Sequence, residues 1–361
     1  MSDIRYSIAL TMLPDVGPVG SKKLISVFGT PEKIFHSPVD DIAAVGGIGI
    51  NRARNIKAFS SWNVIEKRVE ALVKRGIKAV SLEEPSYPVL LRETDDAPVV
   101  IYLKGDMVPQ DRYAIAVVGS RKPSSYGAAV AERISGDLAS MGFTIVSGMA
   151  RGIDSLSHRG ALGVGGRTIA VLGSGLDVPY PPENKVLMER ISESGCVISE
   201  FPAGTPPNRE NFPRRNRVIS GMSLGVLVIE ATSDSGSLIT AKYALDQGRE
   251  VCAIPGRVTS PTSEGTNELI RKGALLTRKA EDIVEELAPV LKGFMKSRNR
   301  STRDVSEEEE QICALLSGEP RQIDSISRES KLASSKVLGI LLALELKGIV
   351  KQTTGKRFYL A

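Results

Sequence analysis

The sequence predicts an α/β protein built on a parallel sheet, with a small helical domain before it and a winged-helix domain after it. Three observations predict this. From Tyr113 onward, short β-branched apolar runs alternate with longer helix-like segments. The first eighty residues repeat a glycine-containing turn followed by a basic helix start, and the last stretch reads as three helices and a hairpin.

At 361 residues the chain suits two or three domains rather than one. Its 42% hydrophobic and 25% charged residues are those of an ordinary globular protein and exclude a collagen-like or wholly disordered chain. No apolar run approaches the roughly 18 residues of a membrane span, and the first residues carry an acid where a signal peptide would carry basic residues, so a cytoplasmic protein is expected. Cys196, Cys252 and Cys313 lie far apart without a CxxC, and His36 and His158 are the only histidines. That is too few ligands for a zinc cluster or a disulfide framework, so buried thiols, no metal and no cofactor are expected. Lys plus Arg exceeds Asp plus Glu by 47 − 42 = 5, which permits a polyanionic partner. Aromatics at 5% argue against extended base stacking on many rings.

Residues 1–80 form the first expected domain, of short helices. Leu13-Pro14-Asp15-Val16-Gly17-Pro18 is echoed by Val45-Gly46-Gly47-Ile48-Gly49-Ile50, each leading into a basic helix start. The second copy has the pattern of a helix-hairpin-helix element, whose backbone N–H groups can hold a phosphate. The first, with Asp15 for the leading glycine, reads as a structural turn. Residues 81–290 are the expected central domain. A Pro- and acid-rich connector leads to one added strand at 99–103, and then apolar runs at 114–118, 143–146, 168–172, 196–198, 224–229 and 250–254 give the parallel sheet. Apolar stretches near 218–229 and 264–276 are read as core. Small residues follow several strands (Gly119-Ser120, Ser147-Gly148, Gly173-Ser174-Gly175, Pro255-Gly256), and ligands of such sheets sit where these loops converge. Residues 291–304 are basic, lack periodicity and read as a linker; 305–361 supply the winged helix, with Ser334 placed to cap its longest helix.

Four segments could carry chemistry. Gly119-Ser120-Arg121-Lys122 brings a small turn, a hydroxyl and two cations to one sheet edge, for which phosphate is the natural guest; an ordinary tight turn is the alternative. It is not a P-loop, since GxxxxGK[ST] is absent, and the GxG at 173–175 lacks its third glycine. Ser147-Gly148 with Arg151 follows the next strand and opens a helix containing His158, which reads as a packing residue rather than a base. Asn208–Arg217 holds four Arg, three Asn and Phe212 before an apolar helix; guanidinium groups pair with phosphate, and the amides or ring could meet bases or sugars. Ser235-Gly236-Ser237, upstream of Lys242, could face an anion but more simply caps its helix.

These strings resemble the DNA-processing protein A (Smf) family. Tyr113–Arg121 with Tyr126-Gly127, SGMARGID at 147–154 with His158, VLGSGLDVPYPPEN at 171–184, SEFPAGTPPNRENFPRRNRVISGMS at 199–223 and EATSDSGSLITAKYAL at 230–245 carry the resemblance, strongest over residues 87–275. It implies an extended Rossmann-like central domain between a SAM or helix-hairpin-helix-like start and a winged-helix end. It further implies a cytoplasmic homodimer, joined through the Rossmann-like domain, that binds and protects single-stranded DNA and helps load RecA recombinase in natural transformation. No catalytic reaction comes with it. Carried over position by position, the expected phosphate contacts are Gly119, Ser120, Arg121, Ser147, Gly148, Arg151, Arg214, Arg215 and Arg217, with Lys242 beside them. The alternative is a nucleotide-processing enzyme that hydrolyses nucleoside monophosphates on a related fold. Its PGGxGTxxE signature is only echoed, by Ser235-Gly236-Ser237 and Gly265-Thr266-Asn267-Glu268. No acid pair, GxSxG or Cys-His arrangement supplies a nucleophile or base. A third reading, a transcription regulator acting through 305–361, has Lys336 as the one cation near the start of its long helix, which suits weak duplex reading or a protein contact.

Overall fold

The computed structural model describes residues 3–291, 307–317, 319–330, 332–346, 350–353 and 357–360. Two compact units result, Met1–Pro289 and Val290–Ala361. No helix among the described residues is long and apolar enough to cross a membrane.

The first unit is organised by a nine-stranded sheet: β1 (Lys78–Ser81), β2 (Val100–Gly105), β3 (Ala114–Gly119), β4 (Thr144–Ser147), β5 (Thr168–Leu172), β6 (Cys196–Ser199), β7 (Gly225–Ile229), β8 (Glu250–Ala253) and β9 (Leu275–Leu276). The spatial order is β1-β2-β6-β5-β4-β3-β7-β8-β9. Strands β6 through β9 run parallel, and β2 and β1 extend that edge antiparallel, with Leu103 opposite Ile198 and Val80 opposite Ile101. Strands β3 to β7 are buried almost throughout, as the unbroken apolar runs require of strands covered on both faces. The chain builds outward from β3 through β4 and β5 to β6, then returns to lay β7 on the other side of β3. The carboxyl ends of β3 and β7 therefore splay their loops apart, and this switch point is where such a sheet opens a crevice.

The helices between Ile4 and Lys74 contain both copies of the repeated turn. Asp15 (φ 65°) and Gly17 (φ 60°) in the first match Gly47 (φ 88°) and Gly49 (φ 71°) in the second, so Asp15 keeps the left-handed conformation that a glycine takes in the other copy. Helices Gly17–Phe28 and Gly49–Lys57 follow from these hairpins. Their core, including Leu24, Ile42, Ile56 and Ile65, is continuous with that of the sheet through Val100 and Ile101. Lys22 fixes the junction further, its ammonium donating to the carbonyls of Arg92 (2.9 Å) and Thr94 (2.7 Å).

The stretch 218–229 is core, as expected. Over 264–276 the outcome is mixed: Ile270 is half-buried and Leu276, on the edge strand β9, is exposed. In the second unit, helices Glu307–Ala314, Ile323–Ser330 and Ser334–Leu346 pack around Ile312, Ile326, Leu341, Leu344 and Phe358. The three-stranded sheet β10 (Arg321–Gln322), β11 (Val350–Thr353) and β12 (Arg357–Leu360) has β12 in the middle. This is the winged helix. The short strand β10, not expected from three helices and a hairpin, precedes the second helix because Arg321 and Gln322 pair with Phe358 and Arg357. The linker from residue 292 to 304 lies outside the described residues.

Candidate nucleic-acid interface

At the switch point, Gly119 ends β3 directly against β7. A Cβ there would lie 1.8 Å from the Ile229 carbonyl oxygen, so only glycine allows the strands to approach this closely. The turn does not leave Ser120 as an open anion donor. Its N–H donates to the Ile229 carbonyl (3.3 Å), and its Oγ accepts from the Lys122 N–H (3.1 Å). What the turn delivers is Arg121 and Lys122, both exposed. The Arg121 guanidinium lies 5.6 Å from the centre of the Phe212 ring, and no described carboxylate forms an ion pair with it.

The loop after β4 is more structural than its sequence suggested. Ser147 is wholly buried, its hydroxyl donating to the Val117 carbonyl (2.6 Å). Gly148 packs so closely on Arg215 that a Cβ would lie 2.4 Å from Nη1. Arg151 is exposed and paired with Glu183. Asp154, buried in the first turn of helix Ile153–Gly163, accepts from the Ala150 N–H (3.3 Å); burial raises its pKa while the Arg215 cation opposes the rise. His158 is fully buried, with Nδ1 2.7 Å from the Thr168 hydroxyl, and burial next to the Arg215 charge pushes its pKa down to about 3. It is a packing residue, as read.

Three arginines of helix Asn211–Gly221 part company because successive positions turn about 100° around the axis. Arg215 faces the sheet, buried. It donates to the carbonyls of Gly148 and Val171 (2.7 Å) and to the Asn216 side chain (3.1 Å), and burial lowers its pKa to about 10, leaving it a cation at neutral pH. Arg214 is exposed, 5.0 Å over the Phe201 ring and 3.7 Å from Glu200. Arg217 points away from the crevice. It is buried against Glu200, donates to the Asp96 carbonyl and lies 3.7 Å from the Asp96 carboxylate. The expectation that it faces the crevice is corrected: two positions on from Arg215, it ties the helix to the connector before β2. Lys242 is exposed on helix Gly236–Asp246, but the groove's lining on that helix stops at Thr240. Ser235 caps the same helix, accepting from the Ser237 N–H (3.3 Å), which is the simpler of the two readings of that loop.

The crevice is a groove of about 920 Å³ whose lining has four cations, Arg121, Lys122, Arg209 and Arg215, against two carboxylates, Asp154 and Asp234. Beside it a narrow slot is bounded by Gly173, Tyr180 and Phe212, with Arg121, Arg151 and Arg215 around it. The Tyr180 and Phe212 rings are 5.6 Å apart, inclined at 39°. Gly119, Ser120, Arg121, Gly148, Arg151 and Arg215 thus meet at one place; Ser147 stands behind the wall and Arg214 to the side. Sequence reasoning passed over Tyr180, whose only signal was an aromatic ring among prolines in a loop after a strand.

Comparison with known proteins gives three family matches. Residues 78–288 match the model described as DNA recombination-mediator protein A, residues 296–356 the DprA winged helix domain, and residues 7–59 the SAM-like helix-hairpin-helix tandem. Protein Smf of a Synechocystis strain is 33% identical over 99% of this chain and 98% of its own length. The DNA processing protein DprA of Bacillus subtilis is 41% identical over 64% of this chain and 81% of its own. Among solved structures, DprA from Streptococcus pneumoniae aligns with a TM-score of 0.69 at 34% identity, covering 79% of this chain and 99% of that one. DNA processing protein A from Helicobacter pylori, solved for its single-stranded DNA binding mode, aligns with a TM-score of 0.53 at 29% identity, over 59% and 96%.

Proposed function

Because this chain belongs to the DNA recombination-mediator protein A family, we propose that its switch-point groove binds single-stranded DNA, protects it and presents it to RecA recombinase in the cytoplasm during transformation. The observation that carries the DNA-binding part is the convergence of exposed Arg121, Lys122 and Arg209 around the Phe212 and Tyr180 rings at one sheet edge. Guanidinium groups grip phosphate through paired donors, and an aromatic face accepts an unstacked base of any sequence. The slot between the Tyr180 and Phe212 rings suits an unstacked base, so a single strand is the fitting guest. Asp154 is buried in the groove's lining, whereas Arg121 is exposed there and free to meet a phosphate. Arg151 exchanges Glu183 for a phosphate at little cost, since an exposed ion pair contributes at most about 1 kcal/mol. Arg215 ties the loop after β4 to strand β5 and adds positive potential from below.

The proposal is binding without turnover. His158, the one imidazole near the groove, is buried against Thr168 and held neutral, out of a general base's reach of a ligand. Delivery to RecA and self-association through the Rossmann-like domain rest on family membership.

The test compares mobility shifts of single-stranded and duplex DNA at two salt concentrations for the wild-type protein and Arg121→Ala. Preference for the single strand is expected. The variant should bind it at least several-fold more weakly, with a salt slope lower by about 0.7 for the lost phosphate contact. Arg121 is the residue to change because removing Arg215 would strip partners from buried carbonyls and confuse folding with binding. Unchanged binding by the folded variant sinks the groove as the site. Release of free base from nucleoside monophosphates by the purified protein would replace binding with catalysis.

A further inference from the structure

A second depression, of about 340 Å³, lies between helix Trp62–Lys74 and the loops that follow β5 and β6. Its helical wall is made by Val64, Lys67, Arg68, Ala71, Leu72 and Arg75, a spacing of three and four that defines one face. Cations and acids are sorted on this helix. Lys67, Arg68 and Arg75 line the depression, whereas Glu66 and Glu70 do not, and Glu66 faces Arg5 at 3.4 Å. Lys67 and Arg68 are exposed and make no ion pair with a described residue. Arg75 donates to the Ala71 carbonyl (3.2 Å) and lies 4.0 Å from Asp177. Asp177, the one carboxylate in the lining, already accepts from the Gly204 N–H (2.8 Å).

The depression adjoins the groove through shared walls. The loop after β5 gives Asp177 to one and Tyr180 to the other, and the loop after β6 gives Pro202 to one and Pro207 to the other. Arg214 lines neither, but it is exposed over Phe201, the residue before Pro202 of the depression's lining. From Lys67 to Arg75 the helix rises about 12 Å, more than a single phosphate can span, so the stripe suits a chain of phosphates. Exposed Val64 and half-buried Ala71 on the same face offer apolar contact to sugars.

Resting on the single-strand reading above, we infer that the bound strand continues out of the switch-point groove, over Arg214, and lays its backbone along Lys67, Arg68 and Arg75. The helical domain is then part of the DNA path, and the occluded length exceeds what the groove alone covers. The depression adds affinity only for strands long enough to reach it.

The experiment uses the full chain with Lys67→Gln, Arg68→Gln and Arg75→Gln combined, all exposed side chains, and dT oligonucleotides of about 6 and about 20 nucleotides. The triple variant should bind the short oligonucleotide as the wild type does and the long one at least several-fold more weakly, with a salt slope reduced by about 2 for three lost contacts. Wild-type binding of the long oligonucleotide by the triple variant, or equal weakening for both lengths, overturns the extension. Arg121→Ala run alongside separates the two levels. If it weakens both lengths while the triple variant changes neither, the groove stands and the extension falls; if it weakens neither, both fall together.

Discussion

Phe212 is the residue through which charge and stacking meet. Arg121 and Arg215 approach its ring at 5.6 and 5.9 Å, and Tyr180 completes the slot. Phe212→Ala is expected to lose about 1–3 kcal/mol of single-strand affinity while Phe212→Tyr retains most of it; fluorescence anisotropy with labelled oligo-dT measures both. Equal loss in the two variants would mean the ring only shapes the helix start. His158 supplies a pH signature of the packing beneath. Its folded pKa is down at about 3 against an ordinary 6.5, so between these values the unfolded chain binds more protons than the folded one. Stability therefore rises with pH through that window and is lost as the solution is acidified from 6.5 towards 3. His158→Asn, which keeps a polar atom near Nδ1, should flatten the denaturation midpoint against pH between 6.5 and 5; an unchanged slope would place the effect elsewhere. At this scale the sequence was partly legible. Arg121, Arg151 and Arg215 could be placed together because strand-end loops and a helix start fix them at one edge. Arg217 could not be excluded, since its burial depends on Glu200 and Asp96, distant in sequence and acidic for reasons visible only in three dimensions.

Among elements, the β3–β7 pair decides whether a groove exists. The register sets Gly119 opposite Ile229, and Glu230, next in the chain, accepts from the Ser124 N–H (2.8 Å) and its hydroxyl, anchoring the start of helix Ser125–Ser140. Gly119→Ala would drive a methyl group into the Ile229 carbonyl, and neither strand can retreat without opening its other ladder. A stability loss of about 2 kcal/mol or more in urea denaturation is expected, with single-strand binding reduced even where the variant remains folded. A variant as stable as wild type would show that the pair has more freedom than its register suggests. The runs that became β3 to β8 were readable because buried parallel strands are nearly continuous in apolar, β-branched residues. Strands β1 and β9 were not. Lys78–Ser81 begins with exposed Lys78, and Leu275–Leu276 is only two residues long, so each is a strand through its neighbour rather than its composition.

For the whole molecule, the division into two units separates the groove from the winged helix. The first unit has a core running from Ile8 to Val251 and holds all of the groove and its adjoining depression; the second has its own core around Leu341 and Phe358. In the winged helix, Lys336, the cation near the start of the long helix, is paired with Glu308 at 2.5 Å, which weakens its claim as a duplex contact. The sequence before the winged helix adds Lys292, Lys296, Arg298, Arg300 and Arg303 with no acid, charges that contact any polyanion without selecting it. Two truncations distinguish these contributions. A chain ending at residue 304 should keep most of the single-strand affinity and the full salt slope. A chain ending at Pro289 should keep the preference for single strands over duplex but show a shallower slope, because unselective phosphate contacts go with the basic segment. Mobility shifts across a salt series read both quantities. Complete loss of binding on removing 305–361 would transfer the site to the winged helix, while loss of strand preference at Pro289 would assign selectivity to the basic segment instead of the groove.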